Sequence, residues 1–293
     1  MHKFVTIIII LSGLSTSVMA EITIDGVLDE PEWQEAQTIE ACNYEVYEDQ
    51  VDCCDYIDAN NDKDISVIII SAGGDGFHMG AVVFGEVGNA DWNLSPVEFR
   101  DISKVAHRLF RYIETMEKPV IGVAKGGAVG GGFENLHACD FVIASNEAKF
   151  SQPEVTLGLN TGWGASQRLP RMVGWRKAKE LLLTGIEISG KEAEKIGAIT
   201  KAVPLNKVDE EVDKLCERLK LCAPVAWGYT KTAINKVWET DYRSGLEFEI
   251  EAWGMVNSEK EFNADVFDDF LNGRQPKFKK NKRITSGEEW KIK

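Results

Sequence analysis

Several features that define other classes of protein are scarce in this sequence. After residue 20, no apolar run approaches the 18 residues of a membrane-spanning helix. The six cysteines include the adjacent pair Cys53 and Cys54, and with only four histidines they form no zinc-ligand spacing and no disulfide framework. We therefore expect no bound metal, and we interpret the cysteines as small apolar residues.

Positive charge is also in short supply. The formal net charge is −14, and residues 21–64 contain 15 acidic residues but only one basic residue, Lys63. The rest of the chain therefore has as many basic as acidic residues. Because a nucleic-acid-binding surface needs a basic patch, we expect no nucleic-acid partner.

The first 43 residues differ from the rest. Residues 1–20 have a basic start, an apolar run and a compact ending, as in a secretory signal peptide, although an uncleaved anchor has the same pattern. Residues 21–43 are predicted to be an acidic lead-in of unclear role. Within it, residues 24–33 are similar to the opening of some secreted carbohydrate-binding modules. A secreted, non-catalytic carbohydrate-binding protein is therefore one alternative function.

From residue 44 onward, the pattern alternates between helices and strands. Apolar residues at steps of three and four predict a helix from Tyr44. Short apolar runs predict strands at residues 65–70, 120–124 and 141–144. A Ser followed three residues later by Glu, the capping box that begins a helix, occurs at Ser95 and Ser189. A short helix is predicted at residues 133–138 and two more between residues 208 and 237, which indicates an α/β fold with a helical C-terminal third.

Glycine-rich segments follow two of these strands, at residues 73–76 and 126–132. The second is predicted to begin a helix, so its free N–H groups would face a ligand. The pattern alone fits a phosphate site, an oxyanion hole or a structural turn, but it is neither a P-loop nor a dinucleotide fingerprint. Glu134, just after the glycines, is a helix cap or an acid/base group. Together with Glu154, it could provide a general acid and a general base.

Three motifs, in the expected order, resemble the enoyl-CoA hydratase/isomerase (crotonase) superfamily. They are residues 128–159, which contain Gly130-Gly131-Gly132 and Phe150-Ser151-Gln152-Pro153-Glu154; residues 76–81, similar to the first oxyanion loop; and residues 270–278, similar to the usual ending. The resemblance covers residues 44–280 and leaves a charged tail at 281–293. It implies a spiral of ββα units completed by C-terminal helices, assembled as a homotrimer or a dimer of trimers.

The resemblance also implies a reaction. The backbone N–H groups of Ala81 and Gly131 would hold the thioester oxygen of a 2-enoyl-CoA. Glu134 would activate the water that attacks C3, and Glu154 would deliver a proton to C2, with no cofactor. An enoyl-CoA isomerase, or another acyl-CoA enzyme of the same fold, is the alternative within the superfamily.

The remaining implied residues contact the substrate. Phe77, His78 and Met79 would lie beside the adenine of CoA, Gly130 would also contact the substrate, and the bulky Trp163 would reshape the acyl pocket. The signal-like and acidic segments stand in the place of the family's usual N-terminal module. The cellular location of the protein is therefore open between two alternatives. CoA chemistry implies the cytoplasm, whereas a signal peptide implies export.

Overall fold

The computed structural model describes residues 3–9, 21–25, 38–40, 65–72, 77–79, 95–258, 260–276 and 278. The strands are β1 (Lys3–Ile9), β2 (Glu21–Asp25), β3 (Thr38–Glu40), β4 (Ile65–Ala72), β5 (Phe77–Met79), β6 (Val120–Ala124), β7 (Gly127–Val129), β8 (Phe141–Ser145), β9 (Lys149–Ser151), β10 (Ile188–Ser189) and β11 (Lys201–Val203). The helices are α1 (Pro96–Thr115), α2 (Gly131–Leu136), α3 (Ala165–Val173), α4 (Trp175–Thr184), α5 (Gly190–Ile196), α6 (Val208–Lys220), α7 (Pro224–Glu239), α8 (Tyr242–Ser258) and α9 (Lys260–Leu271). Short 3-10 turns span Glu154–Leu157 and Leu205–Lys207.

The strands form two sheets that the chain visits in turn. In the described part of the chain, one sheet has the order β11-β8-β6-β4-β1-β2-β3 and the other the order β10-β9-β7-β5. Three successive pairs, β4 with β5, β6 with β7 and β8 with β9, each place one strand in each sheet, and helices follow each pair. Neighbouring repeats pair in parallel. This is the predicted spiral of ββα units.

Both faces of the larger sheet are covered at β4, β6 and β8, because side chains alternate along a strand. From β4, Ile68 and Ile70 pack against α1, whereas Val67 and Ile69 pack on the opposite side against α6. A third cluster lies around α2 and the smaller sheet, where Phe133 and Phe150 are buried with ring centroids 4.9 Å apart. The apolar interior thus consists of three clusters, and α2 belongs to the one around the smaller sheet.

The predicted elements from residue 65 onward are confirmed, with small differences at their ends. Both capping boxes form: the Ser95 hydroxyl accepts from the N–H of Glu98, and Ser189 does the same for Glu192. The short helix begins at Gly131, two residues before the predicted start, and the glycine segment before it contains the strand β7. The helix predicted from Tyr44 lies outside the described residues.

The N-terminal region contributes strands to the larger sheet. Residues 3–9, within the signal-like segment, form β1, which pairs in parallel with β4 and antiparallel with β2. The β-branched residues that made this run apolar also favour a strand. The sheet therefore continues past β4, in the place where the sequence was expected to lack the family's first module.

The C-terminal helices carry large apolar side chains on their surface. Val237 on α7, Trp253 on α8 and Phe270 on α9 are each at least 70% exposed. Lys231 ties α7 to the core, since its Nζ lies 2.6 Å from Asp140 Oδ2. Among the described residues, no helix is both long and apolar enough to cross a membrane.

Candidate active site

Glu134 lies in the first turn of α2, directly after the glycine run. Gly130, which precedes the helix, has a φ of 55°, a left-handed conformation that favours glycine. The turn sends α2 into the core, where Phe133 and Leu136 are buried on either side of Glu134. The Glu134 side chain is 2% exposed, so protein groups must satisfy its carboxylate.

Two backbone N–H groups, those of Trp163 and Ala165, donate to Glu134 Oε1, each at 2.9 Å. Burial raises the pKa of Glu134, and these two N–H groups, with the nearby Arg168, offset the rise in part. Donors and positive charges favour the ionised form of a carboxyl group. The site can therefore hold a glutamate carboxylate within an apolar interior.

The loop that supplies these N–H groups is held from two helices. On one side, Ser103 Oγ of α1 donates to the carbonyl oxygen of Gly162 at 2.5 Å, and His107 Nε2 lies 2.9 Å from the same oxygen. On the other side, Arg168 Nη1 of α3 donates to the carbonyl oxygen of Trp163 at 2.9 Å. The loop is thus fixed at two successive carbonyl groups.

Arg168 is itself buried and paired. Its Nε donates to Glu114 Oε1 of α1 at 2.5 Å, which forms a buried ion pair between α3 and α1. Gly164 makes room for it, because a Cβ at this position would lie 1.9 Å from Arg168 Nη1, and Gly164 also has a φ of +122°. Only glycine fits at this point of the loop.

Glu154 begins the 3-10 turn that follows β9 and is half-buried. Burial raises its pKa to about 7; its own backbone N–H opposes that rise, and the negative charge of Glu134 adds to it. The buried Gln152 amide, oriented with its nitrogen toward Glu154, donates to Oε1 at 3.0 Å and to Oε2 at 3.2 Å. A carboxyl group with this pKa can carry a proton near neutral pH.

The two glutamates meet at Gly130. The N–H of Glu134 donates to the Gly130 carbonyl oxygen at 3.0 Å. On the other side, Glu154 Oε1 lies only 2.9 Å from the point that a Cβ on Gly130 would occupy. The charge of Glu134 acts on Glu154, as expected for neighbouring groups. The structure therefore places the Glu154 carboxylate beside Gly130, at the start of the helix that carries Glu134, so both sequence-predicted residues lie near the second glycine segment.

The other predicted site residues lie around this point. Gly131 is the first residue of α2, and its N–H has no hydrogen-bond partner in the described part of the chain, as expected at a helix start. The backbone of Phe77, His78 and Met79 pairs with β7, which leads directly into Gly130. Ala81, the second predicted oxyanion donor, lies outside the described residues.

The Trp163 indole extends the site into the apolar interior. It packs edge-on against Phe110 of α1, with ring centroids 6.1 Å apart and an interplanar angle of 78°, and it adjoins the cluster around Ile68 and Ile113. Trp163 thus donates its backbone N–H to Glu134 and packs its indole ring against the core.

Three residues of the site were not predicted: Ser103, His107 and Gln152. His107 gives no sequence signal, because a histidine on an amphipathic helix does not indicate a partner 55 residues away. Gln152 stands beside a recognised glutamate but was assigned no role. In the part of the chain that the structure describes, no three His, Cys, Asp or Glu side chains cluster as metal ligands would.

Comparison with known proteins identifies the family of the chain. Residues 36–281 match the model of the family described as enoyl-CoA hydratase/isomerase. The crotonyl-CoA hydratase of Syntrophomonas wolfei is 40% identical over 198 residues, which cover 67% of this chain and 74% of that protein. The short-chain-enoyl-CoA hydratase of Clostridium acetobutylicum is 33% identical over 230 residues, which cover 78% and 86%.

A solved structure has the same fold. The crystal structure of an enoyl-CoA hydratase from Bacillus anthracis superposes with a TM-score of 0.70 at 29% identity, covering 77% of this chain and 85% of that one. The predicted crotonase-like architecture is confirmed by this similarity. The chain belongs to the enoyl-CoA hydratase/isomerase family.

Proposed function

We propose that this protein is a hydratase that adds water across the double bond of a 2-enoyl-CoA thioester. The observation that carries the proposal is the meeting of Glu134 and Glu154 at Gly130, in different environments. Burial raises the pKa of both carboxyl groups, to about 7 for Glu154, but Glu134 also accepts two N–H groups and lies near Arg168, which favour its ionised form. Such a pair fits one base and one acid. The names of the relatives support the same reaction.

In the proposed reaction, Glu134 accepts a proton from water while the water oxygen bonds to C3. The electron pair of the double bond moves to C2, where it is delocalised onto the thioester oxygen as an enolate. Glu154 then gives its proton to C2, which completes a 3-hydroxyacyl-CoA. The net change is the addition of one water molecule, and a proton passes from Glu134 to Glu154, through solvent, before the next cycle.

The enolate oxygen needs hydrogen-bond donors. We assign this role to the N–H of Gly131 and, from the sequence, to that of Ala81. Each donor of this kind is worth about 3–4 kcal/mol in the transition state. Phe77, His78 and Met79 are proposed to lie beside the CoA adenine, and Gly130 and Trp163 beside the acyl group. The pairing of β5 with β7 supports this, because it places these segments next to each other.

The test is to mix the purified chain with crotonyl-CoA and follow loss of the conjugated thioester absorbance, with identification of 3-hydroxybutyryl-CoA. Glu134→Gln should lose hydration by about 10²–10⁴-fold. Glu147→Gln, which changes an exposed glutamate between β8 and β9, is the matched control and should keep full activity. An isomerase that depends on Glu154 alone would instead leave Glu134→Gln able to convert a 3-enoyl-CoA to its 2-enoyl isomer.

We also propose that the chain assembles as a homotrimer or a dimer of trimers. The exposed apolar residues Val237, Trp253 and Phe270 support this, since a monomer would leave a large apolar surface in water. Light scattering should give three or six times the chain mass. A monomer at micromolar concentration would contradict the proposal.

We place the enzyme in the cytoplasm, where CoA thioesters are made, although residues 1–20 resemble a signal peptide. The pairing of β1 with both β2 and β4 supports retention of this segment in the folded protein. Intact mass measurement on protein from the native cells should find residues 1–20 present. Cleavage after Ala20 would show export.

A further inference from the structure

One peptide group connects α1 to the proposed base. The carbonyl oxygen of Gly162 and the N–H of Trp163 belong to the same planar unit and point in opposite directions. The oxygen end accepts from Ser103 and lies 2.9 Å from His107 Nε2, and the N–H end donates to Glu134 Oε1. Any rotation of this unit would therefore break contacts at both ends.

We propose that Ser103 and His107 are positioning residues for Glu134, acting through the peptide group between Gly162 and Trp163. This inference rests on the proposed function, in which Glu134 is the base. By fixing the oxygen end, the two side chains hold the N–H end toward Glu134 Oε1. They also polarise the peptide group, which makes its N–H a stronger donor.

Three features set this contact apart from ordinary loop packing. Ser103 and His107 lie one helical turn apart on α1, so their side chains reach the same oxygen from adjacent positions. Both neutral His107, with the proton on Nε2, and protonated His107 can donate to it. Arg168 holds the next carbonyl, that of Trp163, so the loop has an independent anchor and can stay folded when the first contact is removed.

The effect on Glu134 must be separated from simple charge effects. Glu134 faces charged or titratable groups from three other elements: Glu154 from the 3-10 turn, Arg168 from α3 and His107 from α1. Replacing His107 removes both a donor and a possible positive charge. Replacing Ser103 removes only a donor, so Ser103→Ala is the cleaner test.

The experiment compares four variants on crotonyl-CoA: Ser103→Ala, His107→Leu, and the conservative changes Ser103→Thr and His107→Gln. We expect kcat to fall about tenfold in each of the first two, with KM within about twofold, because the contact acts on the geometry of the base. The conservative changes keep a donor and should recover most of the loss. Arg108→Gln, which changes the exposed residue next to His107 on α1, is the control and should keep the wild-type kcat.

Two further measurements distinguish positioning from general damage. In a Glu134→Gln background, Ser103→Ala should leave the residual turnover unchanged, because the group on which it acts is already lost. The second measurement is an NMR pH titration of protein labelled with ¹³C at the glutamate carboxyl groups. The Glu134 signal is the one that is absent from the spectrum of Glu134→Gln. Ser103→Ala should raise the pKa of Glu134, because its carboxylate loses a well-oriented donor.

The titration does not require activity, so the two proposals can fail separately. If the wild type does not hydrate crotonyl-CoA but Ser103→Ala still raises the pKa of Glu134, the proposed function fails and the positioning role stands. If the wild type is active but Ser103→Ala leaves both kcat and the pKa of Glu134 unchanged, the positioning role is overturned. An equal loss in the Glu134→Gln background would overturn it as well.

Discussion

Replacing Lys231 with methionine should destabilise the protein by removing one half of an enclosed ion pair. The Lys231 side chain is 9% exposed and that of Asp140 is 20% exposed. Lys231 Nζ lies 2.6 Å from Asp140 Oδ2 and 3.1 Å from each of the carbonyl oxygens of Ile113 and Lys118. All three of its donor positions are thus used, and they join α7 to the end of α1 and the start of β6.

The magnitude follows from what the substitution leaves behind. Asp140 Oδ2 also accepts from the N–H of Val120, so the carboxylate would remain enclosed with only one of its partners. Removing one member of a buried pair costs about 3–5 kcal/mol. Because Asp140 retains some contact with solvent, we expect about 3 kcal/mol. Lys231→Met with Asp140→Asn should lose less than Lys231→Met alone, since no uncompensated charge then remains.

The loss should also depend on pH. Burial raises the pKa of Asp140, and Lys231 opposes that rise, so the pKa should rise further in Lys231→Met. The folded state of the variant then binds a proton that the unfolded state does not. Its deficit relative to the wild type should therefore be largest near pH 8 and shrink as the pH falls toward the pKa of Asp140.

The assay is denaturant unfolding of both variants and the wild type at pH 8 and pH 5, at one protomer concentration. A free energy of unfolding for Lys231→Met within about 1 kcal/mol of the wild type at pH 8 would refute the reasoning. So would a double variant whose loss equals or exceeds the sum of the two single losses.

Three other changes have defined outcomes. Gln152→Leu removes a donor from Glu154, so the pKa of Glu154 should rise above its present value of about 7. The fall of kcat/KM at alkaline pH should then move to higher pH, and an unchanged pH profile would contradict the contact. His137 is buried, its ring nitrogens have no partner among the described residues, and burial lowers its pKa to about 3. The free energy of unfolding should therefore fall by about 1.4 kcal/mol per pH unit once the pH drops below the unfolded pKa of about 6.5. In His137→Phe, the free energy of unfolding from urea titrations should depend less steeply on pH. An equal dependence in both proteins would mean that the ring is protonated in the folded state. Gly164→Ala should displace Arg168 and lower the free energy of unfolding by about 1–3 kcal/mol through backbone strain, a loss that thermal unfolding would measure. A variant as stable as the wild type would show that the loop has a different conformation.

Local sequence signals predicted much of the fold. A Ser with a Glu three residues on marks a helix start by a chemical contact within one turn, so Ser95 and Ser189 could be identified without tertiary information. Strands β4, β6 and β8 were visible as apolar runs because both of their faces are covered. The strand β7 was hidden in the glycine segment, since Gly127 and Ala128 carry no signal of a strand. Its pairing with β5 and β9 is what makes it one.

The site was predictable only in part, for a physical reason. Glu134 and Glu154 were identified because each stands within a motif, but their meeting at Gly130 depends on how two repeats stack. The contacts of Ser103 and His107 are long-range bonds to a backbone oxygen, and a backbone oxygen has no identity in the sequence. No pattern along the chain could have linked α1 to the base.

The central claim, that two carboxylates act together on one substrate, is tested most directly by hydration rates of Glu134→Gln, Glu154→Gln and the double variant. If the two groups form one catalytic unit, each single change should lower kcat by about 10²–10⁴-fold, and the double change should cost little more than the larger of the two. A single variant that keeps wild-type kcat, or losses that multiply as for independent sites, would contradict the account.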